Sequence, residues 1–127
     1  MSKVSRFEDL IAWQKAKALT IGIYRQSRQM PFKADFRLAS QIQSAAVSIM
    51  SNIAEGYERG SAAEFHQFLV VAKASCAEVR SQLYLAYEIG HLNSSQFRYL
   101  HSLAEETSRI LGGLKSAVKS AKSAMSN

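Results

Sequence analysis

The sequence predicts an all-α fold, an antiparallel up-down-up-down four-helix bundle, and three observations carry that reading. Apolar residues recur at three- and four-residue spacing through four segments. Each segment is bounded by Pro, Gly or a capping signal. No Val/Ile/Thr-rich alternating run with a hairpin signal occurs. The helices are predicted over residues roughly 7–29, 35–55, 62–89 and 94–124, within one domain spanning residues 1–127.

The first helix places Phe7, Leu10, Ile11, Trp13, Leu19, Ile23 and Tyr24 on a broad arc and ends at Met30-Pro31. Proline has no amide donor and disfavours helix in the residue before it. In the second, Ile42, Ala46, Ile49 and Ile53 follow 4-3-4 spacing, with Gly56 read as the stop and Gly60 in the connection beyond. The third opens on Ser61-Ala-Ala-Glu64, a capping box, and holds Phe65, Phe68, Leu69, Ala72, Cys76, Val79, Leu83 and Ala86 on one face until Gly90. The fourth opens on Asn93-Ser-Ser-Gln96, another cap, and is nearly heptadic from Phe97 through Leu100, Leu111 and Val118 to Met125. Short connections force neighbouring helices antiparallel, which makes helices 1 and 4 spatial neighbours.

Charge is unevenly spread along this topology. The chain carries a formal +6. Residues 1–33 hold seven basic against two acidic groups, residues 34–106 five against eight, and residues 107–127 four basic groups and no acid. Helices 1 and 4 are therefore expected to pool their cations, with Lys115, Lys119 and Lys122 on one ridge of helix 4, into a surface that attracts polyanions. The competing reading is a solvated face that aids solubility.

Constellations for chemistry are sparse. Glu88-Ile-Gly-His91 matches one element of a di-iron bundle site, but such sites need two of these elements plus two further glutamates. His66 and His101 lack zinc-ligand spacing, and Tyr57-Glu-Arg-Gly60 lacks the Lys-Ser/Thr of a phosphate-cradling loop. Cys76, the lone cysteine, sits in the apolar stripe of helix 3 and is expected to behave as a small hydrophobe. No catalytic residue, cofactor or metal is expected. The lone thiol, the acids near the start and the absence of an 18-residue apolar run lead to the expectation of a cytoplasmic protein outside the membrane.

Asn52, Glu55, Ser75 and Glu78 lie at stripe edges and read as an interhelical polar network that fixes register, with Glu78 facing Arg80 or Arg59. Gly112-Gly113 inside helix 4 costs about 1 kcal/mol per residue relative to Ala. Either another backbone approaches there or the helix bends. Val70, Val71, Tyr84, Leu85 and Tyr87 on helix 3, with Trp13 and Ile21 on helix 1, exceed what a monomeric bundle can hide and lead us to expect a homo-oligomer.

Several runs carry a resemblance. Phe7-Glu-Asp-Leu10, Trp13-Gln-Lys-Ala16, Pro31, Gln41 and the stretch Val47–Gly56 (with Ser-Asn-Ile-Ala-Glu-Gly) resemble the S23, or 23S rRNA intervening-sequence, protein family. Glu64-Phe65, Phe68-Leu69, Ala72, Ser75, Glu78, Leu83 and Leu111 extend it over nearly the whole chain. The family's membership includes the accessory variability determinant of diversity-generating retroelements. The resemblance implies a homopentamer of four-helix bundles with a basic surface, in some members binding RNA or DNA, and no catalytic residues.

The function expected from these readings is non-enzymatic, oligomeric nucleic-acid binding through a basic helix 1/helix 4 face. Lys15, Lys17, Arg25, Arg28, Arg109, Lys115, Lys119 and Lys122 are the expected phosphate contacts. The alternative is an interaction scaffold, or an accessory subunit that docks a protein such as a reverse transcriptase.

Overall fold

Local hydrogen bonds set where each helix starts and stops. In a computed structural model, described for the backbone of residues 4–126 and for side chains of residues 4–121, the chain forms four helices: α1 (Ile11–Ser27), α2 (Phe36–Glu58), α3 (Ala62–Glu88) and α4 (Ser94–Ser126). No strand occurs among the described residues. The predicted first helix is shorter than expected. Phe7–Asp9 is instead a 3-10 turn, and Leu10 is extended. The reason is visible at Asp9, whose carboxylate accepts from the Ser5 amide and hydroxyl at 3.3 Å each and so serves the turn. The Gln14 side chain then folds back to Glu8 O at 3.0 Å.

Asp35 caps α2, accepting from the Leu38 amide at 3.2 Å, and Ser61 caps α3 in the same way through Glu64 N at 3.1 Å. At α4 the capping box is reciprocal: Gln96 N donates to Asn93 Oδ1 (2.8 Å) and Asn93 N to Gln96 Oε1 (2.9 Å). Gly56 does not stop α2, as its position had suggested. The helix runs on to Glu58, and the left-handed residue that ends it is Gly60, at φ 81°. Gly90, at φ 86°, closes α3 as read.

Each helix packs against its two chain neighbours in the order α1-α2-α3-α4, and α1 closes the ring against α4. Leu19 and Ile23, Ile42, Ile49 and Ile53, Leu69 and Leu83, and Leu100 and Leu111 fill the centre, and Phe32 from the α1–α2 connection plugs one end. Polar groups in this core are answered locally. The Thr20 hydroxyl donates to Ala16 O at 2.8 Å with Ala46 O of α2 at 3.1 Å, and Ser27 accepts from Gln43 at 2.8 Å.

Interhelical contacts fix the register. Lys73 meets Ser108, Cys76 meets Ala104 and Tyr84 meets Phe97, so α3 and α4 run antiparallel. Gly22 meets Leu100 and Lys15 meets Glu106, which does the same for α1 and α4. At 33 residues, or about 50 Å at ~1.5 Å per residue, α4 outruns its partners. Its Val118 and Ala121 pass over the α2–α3 turn beside Tyr57, Gly60 and Phe65.

Candidate nucleic-acid interface

The register separates Arg25 and Arg28 from Lys115 and Lys119, cations that were expected to pool. Arg25 and Arg28 end α1 beside the first turns of α4, because Gly22 already lies against Leu100. Lys115 and Lys119 lie near the other end of α4, about 25 Å or more along the axis at ~1.5 Å per residue. Neighbouring helices do not place neighbouring charges when they run antiparallel and both basic groups sit at carboxyl ends. Helices 1 and 4 pack together as expected, but one continuous α1–α4 field does not result.

Individual sites are also redistributed. Lys15 is engaged by Glu106 at 2.8 Å, and that ammonium holds the Glu106 carboxyl below its usual value. Lys17 lies over the Trp13 ring, 5.5 Å from its centroid. Arg25, Arg28, Arg109 and Lys119 are exposed and Lys115 half-buried, and none has a carboxylate within 4 Å among the described residues. The Lys122 side chain lies outside the described residues.

Along α4, Lys115 lies two turns beyond Ser108, and Lys119 two turns beyond Gly112. Both therefore continue the row that faces α3. That row meets a cation which reading the sequence alone had passed over. Lys73 of α3, half-buried and without a carboxylate partner, reaches Ser108 O at 3.3 Å and Ser108 Oγ at 3.2 Å. Gly112 lies beside it: a Cβ there would sit 3.6 Å from Lys73 Nζ, and one at Gly113 would meet nothing within 4 Å. Around Gly112-Gly113 α4 is continuous, and no backbone of another helix of the chain lies within 4 Å of a Cβ built at either glycine. The glycines leave the α3–α4 seam uncovered. Arg80, two turns beyond Lys73, lines a small depression of about 110 Å³ with Glu105, Ser108 and Arg109, and its Nε is buried without a partner among the described residues.

Farther along the same seam sits an aromatic cluster. Tyr84 lies edge-on to His101, with centroids 4.8 Å apart, and Phe97 stacks on both His101 (5.1 Å) and Tyr87 (4.7 Å). A clue to it lay in Tyr84 and Tyr87, read from the sequence only as surplus apolar surface.

The polar network on the α2–α3 side is smaller than expected. Ser48 Oγ and Ser75 Oγ are 2.9 Å apart, and Asn52 donates to Ser48 O (2.8 Å) and Ser48 Oγ (3.0 Å). Ser48, not singled out beforehand, is its hub. Glu78 belongs to a separate exposed pair, accepting from Gln82 at 3.2 Å, and Glu55 is exposed outside both groups. Arg59, considered as a partner for Glu78, pairs with Glu64 at 3.9 Å and lies over Phe68.

The Cys76 thiol is not activated as a nucleophile. Burial pushes the Cys76 thiol up to about 11, against the opposing pull of Arg80 and Lys73, and its Sγ donates to Ala104 O at 3.3 Å. His91 stacks on Phe32 and meets Asp35 through Nε2 at 2.9 Å, tying the α3–α4 connection to the start of α2. This contact from His91, then the Leu38 amide, holds the Asp35 carboxyl below its usual value. A depressed carboxyl contributes stability above its unfolded value, near pH 4, that is lost as pH falls through the lower folded one. Urea midpoints measured between pH 6 and pH 2.5 should therefore drop less steeply in Asp35→Asn than in the parent. Parallel curves would remove Asp35 from the account. Among the described residues no three His, Cys, Asp or Glu side chains converge as a metal site, and no helix is long and apolar enough to cross a membrane.

An all-α bundle with cationic seams and no converging catalytic groups among its described residues defines a small helical protein built around its surfaces. The chain belongs to the 23S rRNA-intervening sequence protein family, which it matches over residues 8–113. Its fold is similar to the crystal structure of a protein of unknown function from the S23 ribosomal protein family of Bacteroides thetaiotaomicron. That likeness has a TM-score of 0.76 and 20% identity, and covers 83% of this chain and 98% of that one. Comparison with curated proteins gave no match.

Proposed function

We propose that this chain is a non-enzymatic nucleic-acid-binding protein that holds phosphates electrostatically and works as a homo-oligomer. One observation carries the reading: Arg25, Arg28, Arg109, Lys115 and Lys119 have no carboxylate within ion-pair reach among the described residues. Cations placed only for solubility are ordinarily interspersed with acids, whereas Arg25, Arg28, Lys115 and Lys119 stand in acid-poor stretches. Lys15, committed to Glu106, and Lys17, over Trp13, are the weaker members of the set. The family description refers to an intervening sequence of 23S rRNA, and the exposed cations support RNA or DNA as the ligand.

Binding of this kind releases counterions, so affinity should fall several-fold for each doubling of salt if about four phosphates are engaged. Titration of labelled RNA and duplex DNA at 50 and 200 mM salt tests this. No binding at the lower salt, or binding indifferent to salt, would end it. A second reading, a scaffold that docks a protein partner, is favoured by the exposed Val70, Val71 and Leu85 on α3. Replacing Lys115 and Lys119 with Glu separates the two: lost nucleic-acid binding with an intact oligomer supports the first, and lost partner capture with unchanged nucleic-acid binding supports the second.

A further inference from the structure

We propose that a single strand of nucleic acid lies along the α3–α4 seam, its phosphates on Lys73, Arg80, Arg109, Lys115 and Lys119 and a base stacked on Tyr84. This rests on the nucleic-acid reading above and assigns it a face, a polarity of parts and a strandedness. In the seam cations from two helices come together: Lys73 and Arg80 come from α3, and Arg109, Lys115 and Lys119 from α4. From Lys119 to the level of Arg80 it runs about 25–30 Å at ~1.5 Å per residue, long enough for several phosphates. Against these five cations the depression at Arg80 holds Glu105, which also meets His101 at 3.5 Å.

Lys73 is the feature hardest to explain otherwise. A half-buried ammonium is normally paired. This one spends two contacts on a single serine, and its third hydrogen has no partner among the described residues. Gly112 removes the side chain that would cover it, at a helix-propensity cost the fold does not need. A phosphate oxygen at that opening would meet the ammonium, with the Arg109 guanidinium one residue beyond Ser108.

The aromatic end decides between one strand and two. Tyr84 is 51% exposed although its ring packs on Phe97 and His101, so it is held by neighbours and still open to solvent. A supported ring that continues a cationic track is the arrangement on which unpaired bases stack, and paired bases within a duplex cannot reach it.

The test compares a 20-nucleotide single strand, as RNA and as DNA, with the corresponding duplexes, by fluorescence anisotropy at several salt concentrations. The full chain should prefer the single strands. Lys73→Gln/Lys115→Gln/Lys119→Gln should lower the salt slope by about 2, at ~0.7 per phosphate contact. Tyr84→Ala should weaken single-strand binding about tenfold with the slope unchanged, and Tyr84→Phe should restore it. Lys33→Gln/Arg37→Gln, remote from the seam, should bind as the parent does. Circular dichroism of each variant separates lost binding from lost folding, and Tyr84→Phe keeps the ring if Tyr84→Ala does not fold. Parent binding that survives the seam substitutions, or that is lost on Arg25→Gln/Arg28→Gln instead, overturns this inference and leaves nucleic-acid binding standing. Equal affinity for duplex, with Tyr84→Ala neutral, overturns the single-strand assignment. Absence of any binding by the parent overturns both.

Discussion

Gly56→Ala is expected to lower the free energy of unfolding by about 1–3 kcal/mol, although Ala is the better helix former by about 1 kcal/mol. The glycine lies inside α2 against Phe65 and Phe68 of α3. A Cβ added there would sit 2.6 Å from Phe68 Cβ, 3.1 Å from Phe65 Cδ1 and 3.2 Å from Phe68 Cγ. The first of these cannot be relieved by rotating a side chain, because Phe68 Cβ is fixed to its backbone, so the helices themselves must part. Gly22 offers the contrast. Its added Cβ would meet Leu100 Cδ2 at 2.7 Å, a terminal methyl that can turn aside, so Gly22→Ala should cost less. Gly113→Ala, with nothing within 4 Å, should stabilise by up to about 1 kcal/mol. Urea unfolding of the three variants gives the order directly. A Gly56→Ala protein as stable as the parent would mean that α2 and α3 do not approach as described.

That glycine also shows what the sequence could and could not disclose. The 4-3-4 spacing of Ile42, Ala46, Ile49 and Ile53 and the caps at Ser61 and Asn93 are local signals, and the helices they predicted are present with ends close to those expected. Gly56 looked like a stop because glycine most often serves that role. Its actual role is set by Phe68, on another helix, which no local rule can see. The same holds for the cations. Spacing placed Lys115 and Lys119 on one ridge correctly, but which neighbour that ridge faces depends on antiparallel register. Lys73 is isolated among apolar residues in the chain and becomes part of a cationic row only when Ser108 is brought to it. Ser48 was missed for a like reason, since its partner Ser75 lies across the α2–α3 contact. Pairing of Asp35 with His91 joins two connections that are distant in sequence.

Leu83 and Leu85, two residues apart on α3, should respond in opposite ways to truncation. Leu83 is fully buried, and Leu83→Ala removes its packing and leaves a cavity, a loss of about 2–5 kcal/mol. At roughly 4 °C per kcal/mol for a chain of this size, the melting midpoint should fall by about 8–20 °C. Leu85 is 49% exposed and lines a shallow depression with Arg37, Leu38 and Gln41 of α2. Within one subunit, its truncation should change stability by no more than about 0.5 kcal/mol. If subunits associate through this face, however, Leu85→Ala combined with Val71→Ala removes apolar area from each contact. Light scattering should then show the mass moving toward the 14.1 kDa of one chain while the helical dichroism signal is kept. A parent protein already at that mass at micromolar concentration would refute the association, and an assembly untouched by the double substitution would move it to another face. The two leucines thus separate what holds a subunit together from what holds subunits to each other.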